Sequence, residues 1–342
     1  MLTTSKKPTP RPGVYELYWK FAYERQRAFE ARVSGKRGPW SADPILQQYK
    51  FCNVFRAADR VSQYMIRDVA YQQDDSTPQD RLFQIVAFRT FSNIRTWNSI
   101  TQFLGNSPRI EDLVNGDFER ALDDAKSQHG GLYTGAFILC ATNAYGRSIK
   151  HLNHVELFRD MFVGRQLGND LLDAKSLEQV YELLHRFPLM GDFMSYQTAI
   201  DLNYSEYVNF SENDFTQPGP GAVRGMKKVF LDLGGLTPRE AIMWMVDNQE
   251  AEFERLGYNF NGLWGRRIHG IDAQGLFCET DKYCREAVPE LTSARSRIKA
   301  RFSASAQSME LFFPPKWGIN GRIPTGQLFG SRQPTSRPVP MF

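Results

Sequence analysis

Apolar positions along the chain recur every three to four residues, the period of helices with one buried face. Val14 to Val33 carries Leu17, Phe21 and Ala28 at that spacing and stops before Ser34-Gly35, which predicts a first long helix. Asp43-Pro44 places an N-cap before a proline at the first helical position, predicting a second helix to about Tyr71 with room for an internal break. Pro78 to Leu104 reads as one long helix closed by Gly105-Asn106. Shorter helices are expected near Ile110–Asn115, Asp117–Lys126, Gly135–Tyr145 and Ser148–Val163. Ser176 caps a helix to Arg186, Pro188-Leu189-Met190-Gly191 breaks it, and Asp192–Leu202 resumes. Thr237-Pro238-Arg239-Glu240 is a capping box that starts a helix ending at Gly257. Ile268–Ala287 also reads as helical. Alternating strand patterns are scarce, so the expected fold class is all-α.

The 342 residues allow two domains, or one large domain with a cleft. With 42% hydrophobic and 23% charged residues the chain can bury a core and is not disordered overall. No run of eighteen apolar residues occurs, so no membrane association is expected. Residues 1–13 lack the apolar stretch of a secretory signal and read as a loose tail. Cys52, Cys140, Cys278 and Cys284 are scattered without a Cys-x-x-Cys, which suggests reduced thiols and a cytoplasmic, unsecreted protein. The net charge is +4, but Arg295 to Phe342 holds eight Lys or Arg against Glu310 alone, so the basic end suggests a polyanion partner. The expected organisation is the tail, a helical domain over 14–302 in two lobes meeting near 130–150, and a basic, proline-rich segment over 303–342.

Four stretches could carry chemistry. Phe187 to Ala199 holds a tight turn ending at Gly191 before a helix, where backbone amides could meet a DNA phosphate. It resembles the helix-hairpin-helix of DNA glycosylases, with Leu189 where that motif has its first glycine. Asp214 follows the hairpin as a candidate catalytic carboxylate. Gly219 and Gly221 then open a helix carrying Arg224, Lys227 and Lys228, a candidate cradle for phosphate or pyrophosphate. The spacing is not that of a dinucleotide-binding loop. Further on, Cys278, Asp281 and Lys282 share one helix face and Glu279 another; they are candidates for catalysis and substrate binding, or simply intrahelical ion pairs. Near the N-terminus aromatics alternate with cations around Arg25, Trp40, Asn53 and Arg56, which fits base stacking and phosphate contact or core packing. There is no P-loop, no His-Glu-x-x-His and no Gly-x-Ser-x-Gly. His151 and His154 lack a third ligand nearby, so they read as surface histidines and no metal is expected; no cofactor is expected either.

The N-terminal block carries a resemblance. Tyr18-Trp19-Lys20-Phe21-Ala22-Tyr23-Glu24-Arg25-Gln26, Pro39-Trp40-Ser41-Ala42-Asp43-Pro44-Ile45-Leu46 and Tyr49 to Arg60 together resemble the α-glutamyl/putrescinyl-thymine pyrophosphorylase family. The likeness continues through Pro218–Gly225 and Cys278–Tyr283, about residues 14–302. That family's helical domain also occurs fused to hydroxymethyl-deoxyuridine DNA kinases. The resemblance implies a glycosylase-like fold with a central cleft, and an enzyme of DNA hypermodification. A pyrophosphorylated 5-hydroxymethyluracil is flipped from double-stranded DNA, and an amine, either an amino acid or a polyamine, displaces pyrophosphate. It implies Arg224, Lys227 and the glycine loop on the pyrophosphate, Asp214 or Glu279 as the acting carboxylate, and Arg25, Asn53 and Arg56 lining or bracing the cleft. Two alternatives remain at this point: a glycosylase using Asp214, and a non-catalytic module that binds modified DNA.

Overall fold

A computed structural model describes residues 6–135, 143–291, 298, 300–303 and 310–324. The expected helix over Gly135–Tyr145 falls largely outside these residues, as does Cys140. Among them the fold is all-α. The helices are α1 (Val14–Val33), α2 (Pro44–Gln48), α3 (Arg60–Tyr64), α4 (Pro78–Phe91), α5 (Ile94–Leu104), α6 (Ile110–Asn115) and α7 (Asp117–His129). They continue as α8 (Lys150–Phe158), α9 (Leu167–Asp173), α10 (Leu177–His185), α11 (Asp192–Tyr204), α12 (Pro220–Val229), α13 (Pro238–Arg255) and α14 (Gly270–Ala287). Buried apolar side chains from Val14 to Ile319 form one continuous cluster.

Three expectations need correction. Pro78 to Leu104 is two helices: Ser92 turns left-handed at φ 48°, and the Asn93 side chain accepts the amides of Arg95 and Thr96 to start α5. A side-chain cap thus outcompetes the continuous helical period. The second expected helix stops at Gln48, because Tyr49 bridges to Arg301 and the amide of Lys50 donates to Ala300. Helix resumes only at Arg56, as a short 3-10 turn leading into α3 and a π segment over Met65–Ala70. Nor are residues 9–11 loose. Thr9–Pro10 (β1) pairs antiparallel with Phe230–Asp232 (β2), and Arg11 donates to the backbone oxygens of Lys228 and Val229.

The basic C-terminal segment also contributes to the body. Lys316 donates to the carbonyls of Asn203, Ser205 and Val208 at 2.5–2.9 Å, satisfying groups at the open end of α11. Burial pulls the Lys316 amine down to about 8. Trp317 lies under the Arg266 guanidinium, 3.6 Å from its ring centre, and Phe313 is fully buried.

Candidate active site on the central helix

Helix α14 is the axis on which the candidate residues assemble. Its start is held by Asp272, which accepts the amide of His269 and, across the interior, the amide of Arg56. Burial, reinforced by Glu212, raises the Asp272 carboxyl to about 7. Segment 213–228 then descends α14 rung by rung. Asn213 accepts the Gly270 amide, and Gly219 lies against Phe193 and Gln274. Gly221 lies on Cys278, and Gly225 on the Phe277 carbonyl. A methyl group on Gly221 would stand 2.4 Å from the Cys278 sulfur, and one on Gly225 2.0 Å from the Phe277 oxygen. Only glycine lets α12 and α14 approach this closely.

At the lower rungs charge accumulates. Asp281 is fully buried between Arg224 (3.4 Å), Lys228 (3.1 Å) and Arg285 (2.7 Å). Burial works to raise this carboxyl, and the bonds from Arg285 and Lys228 overcome it, holding it below the usual carboxylate range. Asp281, expected as a catalytic candidate, has no exposed atom to offer a substrate and acts as the counterion that aims three cations. Arg224 and Lys228 alone set two cations on one carboxylate, and the Arg224 side chain is 33% exposed beside the start of α12.

Loop 49–55 covers the other flank of α14. Glu279 accepts the Cys52 amide at 3.0 Å and pairs with Lys282 at 2.6 Å. Burial would lower the Lys282 ammonium, but the Glu279 carboxylate outweighs it and raises it. Arg25 donates to the Cys52 carbonyl (3.1 Å) and to Asn53 Oδ1 (2.5 Å), and Asp59 accepts the Asn53 amide (2.9 Å). Burial raises Asp59 to about 6. Arg25, Asn53 and the Glu279–Lys282 pair, from three separate stretches of chain, are therefore joined through the Cys52 backbone. Cys52 and Cys278 flank Glu279, and its charge pushes the Cys52 thiol up.

Other expected residues stand apart. Arg56 turns inward and shares Asp201 with Arg89, with Gln197 on its Nε; it braces the core. The Asp214 carboxylate is exposed and makes no bond among the described residues. Its neighbour Asn213 meets α14 at Gly270, eleven residues and about 16 Å of helix from Asp281. Gly191 is exposed at the start of α11, and Leu189 in the same hairpin has φ 70°, the conformation a glycine would favour. Trp40 lies away from α14, bonded to the Lys36 carbonyl. Lys227 is exposed on α12. Sequence reasoning missed Arg89, Asp201 and Lys316. A visible signal existed for Asp201: α11 is buried almost throughout, and an acid inside such a helix needs a cation.

No group of His, Cys, Asp and Glu suited to holding a metal occurs among the described residues. No helix there is long and apolar enough to cross a membrane.

Residues 12–293 match the family described as 5-hmdU DNA kinase, helical domain. The chain is 24% identical over 300 residues to a 5-hmdU DNA kinase of Bacillus phage SP10. That alignment covers 81% of this chain but 46% of the phage protein, so the chain spans less than half the length of this relative. No solved structure matches. With α1 through α14 and both flanks of the central cluster inside the matched span, the chain belongs to the family of the 5-hmdU DNA kinase helical domain.

Proposed function

We propose that this chain acts on DNA carrying 5-hydroxymethyluracil, at the step where an amine replaces pyrophosphate on the pyrophosphorylated base. A base inside a duplex is unreachable, so it is flipped out first. The amine nitrogen supplies the electron pair for a new C–N bond to the 5-methylene carbon. The C–O bond to pyrophosphate breaks, its electron pair leaves with the pyrophosphate, and the amine gives up a proton.

The observation that carries this reading is the surplus of cations around Asp281. Arg224, with the exposed Lys227 on the same helix, neutralises the leaving group, and the N-terminus of α12, which follows Gly219, adds the positive end of a helix dipole. Glu279, Arg25 and Asn53 hold loop 49–55 in place beside them. The related kinase name supports hydroxymethyluracil in DNA as the substrate class.

The test is incubation with DNA carrying the pyrophosphorylated base and a panel of amino acids and polyamines. The expected outcome is pyrophosphate release matched by an amine adduct on the base. Release without an adduct would count against the reading. A second reading, a glycosylase, is favoured by the free Asp214 carboxylate after a hairpin. It requires abasic sites in modified DNA, lost in Asp214→Asn.

A further inference from the structure

A groove of about 680 Å³ lies between the C-terminal half of α1, loop 36–42 and the turn at Asn261–Trp264, with Pro324 closing one side. Two indoles, Trp40 and Trp264, line it, together with Arg27, Lys36 and Arg37. Lys36 and Arg37 are exposed, and their side chains make no bond among the described residues. Arg32 stands over the Trp40 ring at 5.4 Å, and Arg322 donates to the Trp264 carbonyl at 3.0 Å. Glu24 and Glu30 are the acids of the lining, two against the three cations Arg27, Lys36 and Arg37. The balance around the groove is thus cationic.

The indoles are held in place. Trp40 donates to the Lys36 carbonyl at 2.6 Å and meets Phe302 edge-on, and Trp264 packs against Phe29 and Phe313. Trp264 adopts φ 50°, a left-handed conformation unfavourable for a bulky residue, which the surrounding packing maintains. Fixed indoles with the exposed cations Lys36 and Arg37 beside them match the alternation of base and phosphate in a nucleic-acid strand.

We infer that this groove binds a single-stranded DNA segment, one or more bases reaching the indoles while Arg27, Lys36 and Arg37 meet the phosphates. A duplex keeps its bases stacked inside and could reach only the rim. A lone nucleotide lacks the repeated phosphates that the spread of rim cations suits. The inference does not depend on the amine-transfer reading, since it concerns strand capture and not chemistry.

The test uses the full chain and a fluorescent twelve-nucleotide oligo-dT, with anisotropy read across a salt series. The double variant Lys36→Glu/Arg37→Glu changes exposed residues outside the core, and its melting temperature should match the parent. Its affinity should fall about tenfold or more, and its salt slope should shrink by about 1.4, the value for two phosphate contacts on a single strand. Trp264→Ala should weaken binding about tenfold by loss of stacking. Lys126→Gln, an exposed cation on α7, should bind oligo-dT as the parent does. Parental affinity and slope in the double variant would overturn the inference. So would equal affinity for dTMP and the oligomer, or loss of oligo-dT binding in Lys126→Gln.

Discussion

His154 illustrates how burial sets the chemistry of a single group. It is buried on α8, 2.7 Å from the Tyr133 hydroxyl, and burial holds its imidazole down at about 3. The folded state therefore resists a proton that the unfolded chain accepts near pH 6.5. His154 contributes nothing to pH dependence above that value and destabilises progressively as pH falls from about 6.5 towards 3, by up to about 1.4 kcal/mol per pH unit. Asp272 works in the opposite sense: raised to about 7, it favours the fold as its carboxyl gains a proton below that pH. Comparing variant with parent isolates the histidine. His154→Gln should gain stability relative to the parent as pH drops from 7 to 5, measured by urea unfolding at each pH; parallel curves would show that His154 stays unperturbed. Neither His154 nor Asp272 was legible as special in the sequence. Burial in the assembled core sets both shifts, and for Asp272 the Glu212 carboxylate, distant in sequence, adds to it while the bond from the Arg56 amide opposes it. Glu279, expected on a different helix face from Lys282, nonetheless pairs with it, because residues three apart on a helix are neighbours.

Among the elements, local signals were legible where a cap or a breaker dictates the backbone. Val14–Val33 and Ile110–Asn115 begin and end where the residues imply, and Thr237 with Glu240 forms the capping box that starts α13. The signal failed where two helices abut without a Gly or Pro between them, as at Ser92-Asn93. It failed again where the partner strand lies over two hundred residues away, as for Thr9–Pro10 with β2. The contact between α12 and α14 was partly legible: the glycine-rich stretch was evident, but not that its glycines serve helix approach. Gly225 is the decisive one, because the obstruction is backbone, the Phe277 carbonyl, and cannot swing aside. Gly225→Ala should destabilise by about 3 kcal/mol, near the top of the usual overpacking range, in a thermal or chemical unfolding experiment. Unchanged stability would mean that the two helices separate at little cost.

Across the whole molecule, α14 gathers distant parts of the chain onto one scaffold. Loop 49–55 and segment 213–228 lie along it, and β2, which follows α12, is tied to β1 at the N-terminus. Of the cations in the basic C-terminal segment, Lys316 serves the fold and closes the end of α11. The excess cations that face outward at Arg224 are the feature this scaffold does not itself consume. The central claim is that this face recognises the phosphorylated base. Its most direct test is the affinity of the parent and of Arg224→Gln for a duplex bearing one pyrophosphorylated 5-hydroxymethyluracil, each compared with the same duplex unmodified. The parent should prefer the modified duplex, and Arg224→Gln should lose most of that preference while keeping its affinity for unmodified DNA. An equal preference in both proteins, or none in the parent, would contradict the account.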